Sequence, residues 1–313
     1  MSAGADGHGT KAVVAALLAN AAIAVAKFVG FLVTGSSAML AESVHSVADA
    51  GNQGLLLLGG KRAKKAADSE HPFGYGRERY FWAFVVALVL FSLGGLFSLY
   101  EGFHKLEEAA DGEELNAPFV AIAILGFALV AEAFSFRTAI VESNKVRGGQ
   151  SWWRFVRTAK SPELPVVLLE DLGALVGLVL AMAGVVAAAI TGDLLWDALG
   201  TMAIGVLLLV IAVFLVVEMK GLLIGEGGTA GQVAQIRTAL VDGSVITGVI
   251  HLKAAHLGPD ELLVAAKVAV SPTSSVEQLA RAIDEAETRV RAAVPVARSI
   301  YLEPDLLREP VTA

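Results

Sequence analysis

Long apolar runs alternate with short polar links through the first two thirds of the chain, and then the pattern stops. Each run reaches roughly the 20 residues that a helix needs to cross a bilayer. The spacing predicts six membrane helices, at about 11–34, 37–60, 79–104, 117–140, 159–190 and 194–218. Only Thr34-Gly35-Ser36-Ser37 separates the first two, which predicts a tight antiparallel hairpin. No short cleavable signal pattern opens the chain: Lys11 leads directly into a long apolar run, so that run is expected to stay in the membrane.

After Gly225-Glu226-Gly227-Gly228 charges recur at short intervals and no spanning run remains. Here the pattern predicts a short amphipathic helix over about 229–242 and a strand over 245–256. A Gly258-Pro259-Asp260 turn and a strand over 261–270 follow. A helix over 274–294, with Pro272 before it, and a last strand over about 297–302 complete an α-β-β-α-β order. That order suggests an open sheet with helices on one face. The expected division is a six-helix transmembrane domain, 1–225, followed by a soluble α+β domain, 226–313.

Loop charge sets the expected orientation. The second-to-third loop carries Lys61, Arg62, Lys64, Lys65, Arg77 and Arg79, and the fourth-to-fifth link carries Lys145, Arg147, Arg154, Arg157 and Lys160. The third-to-fourth loop is acidic, with Glu107, Glu108, Asp111, Glu113 and Glu114. Both basic loops fall on one side, which places both termini in the cytoplasm and suits a bacterial inner membrane. Across the 313 residues, 55% are hydrophobic and 18% charged, too apolar for an ordinary soluble protein. Cysteine is absent, which excludes disulfides and thiolate metal sites, so any metal must bind His, carboxylate, amide or backbone oxygen. The net charge of -7 says little about partners, and the basic residues form no aromatic-interleaved stripe, so nucleic acid is not an expected partner.

Inside the apolar helices, ionisable residues demand a reason, since each costs roughly 2.5–3.5 kcal/mol at mid-bilayer even on a lenient scale. The second helix holds Glu42, His45 and Asp49, then Asn52 and Gln53. His45 and Asp49 are four apart, on one face and one turn from each other. They form either a hydrogen-bonded packing pair or half of a metal site. The fifth helix carries Glu170-Asp171 in an otherwise apolar run. At about 1.5 Å per residue, Asp49 and Asp171 sit about 16 Å and 18 Å from the cytoplasmic ends of their helices. Two helices bringing carboxylates and a His to one depth favour a metal site. Lys27 and Glu42 share a depth nearer the outer side, as a structural ion pair or as a gate or charge relay. Asn20 and Gln53 are expected to hydrogen-bond between helices.

Three separated motifs now carry a resemblance: Ala41-Glu42-Ser43-Val44-His45-Ser46-Val47-Ala48-Asp49, the loop His71-Pro72-Phe73-Gly74-Tyr75-Gly76-Arg77, and Leu223-Ile224-Gly225-Glu226. Together they resemble the cation diffusion facilitator family. The stretch from His71 to Trp82 and the ending Tyr301-Leu302-Glu303-Pro304-Asp305 look most like the branch containing mitochondrial zinc transporters. The resemblance implies a homodimeric divalent-metal efflux transporter, not an enzyme, exchanging metal for protons. It also implies six transmembrane helices and a cytoplasmic ferredoxin-like domain. No organic cofactor is implied. The metal, Zn(II) first, is the substrate, and lipid surrounds the helices.

In that family two residues on helix two and two on helix five form the transport site. His45, Asp49 and Asp171 match three of them, and Val167 stands at the fourth position. Val cannot bind metal, which leaves Glu132, Glu170 or water as the fourth ligand. A His-plus-carboxylate set is harder than a two-His site and should discriminate less sharply against iron(II), manganese(II) or cobalt(II). Carboxylates would offset the charge of the dication, and protons would replace it on release, with His45 the foremost carrier and Asp49 and Asp171 secondary. Asp68 and His71 match part of a second, weaker loop site, whose other His position is Tyr75. A salt bridge from Arg77, Glu78 or Arg79 to Glu218 is expected at the cytoplasmic mouth. In the soluble domain the family's His ligand positions are Ala266 and Tyr301, only Glu303 remains, and His251 and His256 fall elsewhere. That domain is therefore expected to dimerise without a formed metal cluster. The incomplete site keeps a rival open: a non-transporting or heteromeric partner subunit. An intramembrane metalloenzyme would need a motif such as His-Glu-x-x-His, and none occurs.

Overall fold

A computed structural model describes the backbone of residues 5–110 and 117–307, and side chains from residue 20 onward within those ranges. The expected acidic-loop residues Asp111, Glu113 and Glu114 lie outside the described residues. The chain divides into two units: 1–61 with 81–220, and 62–80 with 221–313. The second unit thus takes in the loop after the second helix, which sequence alone had placed with the transmembrane part.

In the first unit, α1 (Ala5–Thr34) and α2 (Ser37–Arg62) are joined through Gly35, whose φ of 67° suits the absence of a side chain. Then follow α3 (Glu78–Ala110), α4 (Pro118–Arg147), the short α5 (Trp152–Thr158), α6 (Glu163–Thr191) and α7 (Leu195–Ile224). Among the described residues, α3, α4, α6 and α7 are long and apolar enough to cross a membrane. Asn20–Thr34 is a shorter apolar stretch of α1. The molecule is therefore a multi-pass membrane protein.

Close helix packing depends on small residues. α3 contains a π-helical segment at Leu90–Leu96, and within it Gly95 meets Leu209 of α7. A Cβ added at Gly205 would sit 2.8 Å from the Leu99 backbone nitrogen and 3.0 Å from the Gly95 carbonyl oxygen. Without an apolar driving force between helices in lipid, such backbone approach supplies the contact. The start of α2 is held from α7: Asp197, fully buried, accepts from the Ser37 backbone N–H at 2.9 Å and from the Ser36 hydroxyl at 2.9 Å. A carboxylate there satisfies free N–H groups and complements the helix dipole. Sequence patterning missed α5, although its Ser151 cap, which accepts from the Arg154 N–H, was visible.

The second unit contains α8 (Ala230–Leu240), β1 (Ile246–Gly258), β2 (Glu261–Val270), α9 (Val276–Ala293) and β3 (Ala297–Asp305). The sheet order is β1-β2-β3, antiparallel then parallel, with α9 as the crossover. Alternate β2 residues Leu262, Val264, Ala266 and Val268 face Ile236 and Leu240 of α8 and Ala282, Ala286 and Val290 of α9. Both helices start with a capping box, Thr229 with Gln232 and Ser275 with Gln278. The loop before α3 packs on the β1–β2 turn. A Cβ at Gly76 would lie 2.9 Å from the Leu257 carbonyl oxygen, and Arg79 pairs with Asp260 at 3.0 Å.

Candidate metal site

The polar residues of α2 share a face because they recur at three- and four-residue spacing, and that face turns inward. Glu42 and His45 are almost completely buried, and Asp49 nearly so. His45 Nε2 lies 3.5 Å from Asp49 Oδ2, too poorly aligned for a hydrogen bond. Six buried polar atoms of α2 have no hydrogen-bond partner among the described residues: Glu42 Oε1, His45 Nδ1, His45 Nε2, Asp49 Oδ1, Asn52 Oδ1 and Gln53 Oε1. Buried polar atoms are nearly always bonded, so such a concentration sets this helix face apart from the apolar bundle around it.

Three other helices face this stripe. From α1, the fully buried Lys27 Nζ donates to Glu42 Oε2 at 3.0 Å and to Ser46 Oγ at 2.7 Å. From α6, Glu170 Oε1 accepts from Asn52 Nδ2 at 2.6 Å. Asp171 Oδ2 accepts from Ser135 Oγ of α4 at 3.0 Å. Gly177 of α6 leaves room for Glu42, whose Oε1 would stand 2.8 Å from a Cβ there. Glu132 of α4 is buried and within electrostatic range of His45, Asp49, Lys27 and Glu42. Asp171 is within the same range of Glu132 and Asp49.

Sequence reasoning selected His45, Asp49, Asp171, Glu132 and Glu170, and all lie on interior faces of this four-helix group. His45 and Asp49 are close neighbours, and Glu170 lies within electrostatic range of Asp49. Among the described residues no three His or carboxylate groups converge tightly enough to enclose an ion. Val167 lies beneath α5 in an apolar cluster with Phe155, Val156 and Leu168. The interhelical hydrogen bond expected of Gln53 is made instead by its neighbour Asn52, since Gln53 Oε1 has no partner. Sequence reading also missed Ser135 and Asn52 as anchors of the two α6 carboxylates. Neutral residues in apolar helices give little signal without a partner helix in view.

In the second unit, the Asp68 carboxylate is already occupied. Lys65 Nζ donates to its Oδ2 at 2.8 Å and the Tyr75 hydroxyl at 2.7 Å, while the backbone N–H groups of Glu70 and His71 reach Oδ1. The Lys65 ammonium and these hydrogen bonds hold the Asp68 carboxyl well below the usual range. His71 Nδ1 is 3.8 Å from Asp68 Oδ1, and its ring lies against Tyr75. Glu303 is similarly matched, with Lys267 Nζ 2.9 Å from its carboxylate and 3.2 Å from Asp305. His251 is exposed, and His256 is buried with Nδ1 3.3 Å from the Gly258 carbonyl. Glu218 pairs with Arg157 of α5, at 3.4 Å. The short helix, unseen in the sequence, brings that guanidinium to Glu218.

Fold and site define a membrane protein with a buried polar seam between apolar helices. The sequence model of the cation efflux transmembrane domain matches residues 13–224, and the chain belongs to the cation diffusion facilitator family. It is 31% identical over 250 residues to the mitochondrial proton-coupled zinc antiporter SLC30A9 of Homo sapiens, covering 79% of this chain and 44% of that protein. It is 30% identical to metal tolerance protein C4 of Arabidopsis thaliana, covering 81% and 55%. Magnetosome protein MamM of Paramagnetospirillum magneticum is 28% identical, covering 84% and 77%. The chain thus spans about half the length of the first two relatives.

Proposed function

We propose that the chain is a divalent-metal efflux transporter, with Zn(II) the first candidate, that exchanges metal for protons by alternating access. The observation that carries this reading is the row of unpartnered buried polar atoms on α2, facing acidic residues of α4 and α6. Its family and its similarity to a proton-coupled zinc antiporter support the same reading. In this proposal α1, α2, α3, α4, α6 and α7 all cross the membrane, both termini are cytoplasmic, and the membrane is a bacterial inner membrane. The second unit is a ferredoxin-like module through which two copies pair.

His45, Asp49 and Asp171 are the proposed metal ligands. Glu132 is a better fourth candidate than Glu170, whose oxygen already accepts from Asn52. In the described conformation these groups stand apart, so binding would require α4 or α6 to move toward α2. Metal and protons then compete for one set of oxygens and nitrogens: carboxylates that neutralise the dication take up protons when it leaves. With one imidazole and several carboxylates, the site would also accept iron(II), manganese(II) and cobalt(II) as competing substrates.

Val167 favours a second reading, a non-transporting or heteromeric partner subunit. Purified protein alone in liposomes, offered zinc, iron(II), manganese(II) and cobalt(II) in turn, separates the two. Saturable uptake of any of them supports transport, and uptake of none supports the partner role.

A further inference from the structure

We propose that a groove beneath α5 binds an anionic phospholipid, with one acyl chain in the groove and the phosphate on Arg154. The groove has a volume of about 540 Å³ and is lined by apolar side chains of four helices. Phe136 comes from α4, Trp152 and Trp153 from α5, Leu172 from α6, and Val210 and Phe214 from α7. Trp153 is 64% exposed and Val210 64% exposed, so the groove opens laterally from the helix bundle.

Its surroundings identify the occupant. The short helix buries Phe155 and Val156, lays its tryptophans along the groove and leaves Arg154 and Arg157 outside. Aromatic rings over apolar surface with basic residues at the rim are the pattern of a membrane interface. Two neighbouring arginines lie over the groove tryptophans and are engaged. Arg147 bonds Asn144 and lies over the Trp152 ring at 4.3 Å, while Arg157 pairs with Glu218 at 3.4 Å. Arg154 is exposed and its guanidinium has no partner among the described residues. Arg147 and Arg157 over the groove tryptophans, with the unpaired Arg154 on the outer face of the same short helix, give the apolar slot a basic surround that complements a phosphate attached to an acyl chain. A zwitterionic lipid would fill the slot equally well but bring a choline cation to the same rim.

The test uses the full chain in nanodiscs, with Trp82→Phe and Trp196→Phe leaving only Trp152 and Trp153 to emit. Phosphatidylglycerol or phosphatidylcholine with brominated acyl chains is added at matched mole fractions. The expected result is half-quenching at a several-fold lower fraction of phosphatidylglycerol, a preference that Arg154→Gln removes and the exposed control Arg298→Gln retains. Soluble glycerol phosphate should leave the curve unchanged. Equal quenching by the two lipids, a preference surviving Arg154→Gln, or competition by glycerol phosphate alone would overturn the proposal. Absence of quenching by either lipid, with cross-links from α5 to a second copy, would assign the groove to a protein interface instead. Native mass spectrometry of the unaltered chain supplies a reading independent of the tryptophan replacements: more retained phosphatidylglycerol than phosphatidylcholine is expected, and parity contradicts it.

Discussion

Lys27 Nζ lies 3.0 Å from Glu42 Oε2 with both side chains completely buried, so the α1–α2 hairpin encloses a charge pair within an apolar bundle. Each charge is tolerable only because the other is present. Lys27→Met should therefore cost about 3–5 kcal/mol, and Lys27→Met with Glu42→Gln should recover most of it. Thermal unfolding in detergent, followed by tryptophan emission, measures both. Equal losses in the single and double variants would show that the pair contributes little and that packing around it dominates.

Asp68 gives a pH prediction for the loop. A carboxyl held low in the folded state orders the loop above the ordinary aspartate value of about 3.9, and that contribution is lost only as pH falls through the lower folded value. Corrected for intrinsic rate, amide exchange at Glu70 and His71 should stay slow from neutral pH down to about pH 4, the ordinary carboxylate range. Asp68→Asn should speed it throughout. A loss of protection between about pH 5 and 4 in the unaltered chain would contradict the depressed carboxyl.

The approach of α3 to α7 at Gly205 leaves no room for a methyl group, since Leu99 and Gly95 backbone atoms would lie within 3.0 Å of it. Gly205→Ala should destabilise the bundle by about 1–3 kcal/mol. Gly231→Ala, where a Cβ would meet open space, serves as the comparison in the same thermal measurement.

Lys267 bonded to Glu303 and Lys65 bonded to Asp68 leave two further candidate metal groups occupied by the protein's own cations. In a chain carrying His45→Ala and Asp49→Ala, calorimetry with zinc should therefore show no tight stoichiometric binding. A sharp one-to-one isotherm would mean that the loop or the soluble unit holds metal after all.

Most of this architecture was legible because its physical signals are long. Runs of apolar residues marked the helices Pro118–Arg147 and Glu163–Thr191 to within a turn or two of sequence expectation. Alternation in Glu261–Val270 marked a strand with the same bounds. The seven-residue helix Trp152–Thr158 escaped because two turns carry too little periodicity, and with it went the Arg157–Glu218 pair. At the candidate site, charged residues in apolar runs stood out by their cost. Their partners Ser135 and Asn52 did not, because a hydroxyl or amide in a helix is inexpensive until a carboxylate faces it. Nor could residue spacing reveal that Asp68 already holds a lysine, which depends on how the loop closes.

Metal flux and proton flux measured together test the central assignment most directly. Purified protein in liposomes with a zinc reporter and a pH reporter inside should move zinc with an opposing proton flow. Asp49→Ala and Asp171→Ala should each reduce zinc flux by more than about tenfold, the loss of roughly 1.4 kcal/mol or more of interaction. Asp49→Ala protein that retained proton-coupled zinc uptake would contradict the placement of the transport site at His45 and Asp49.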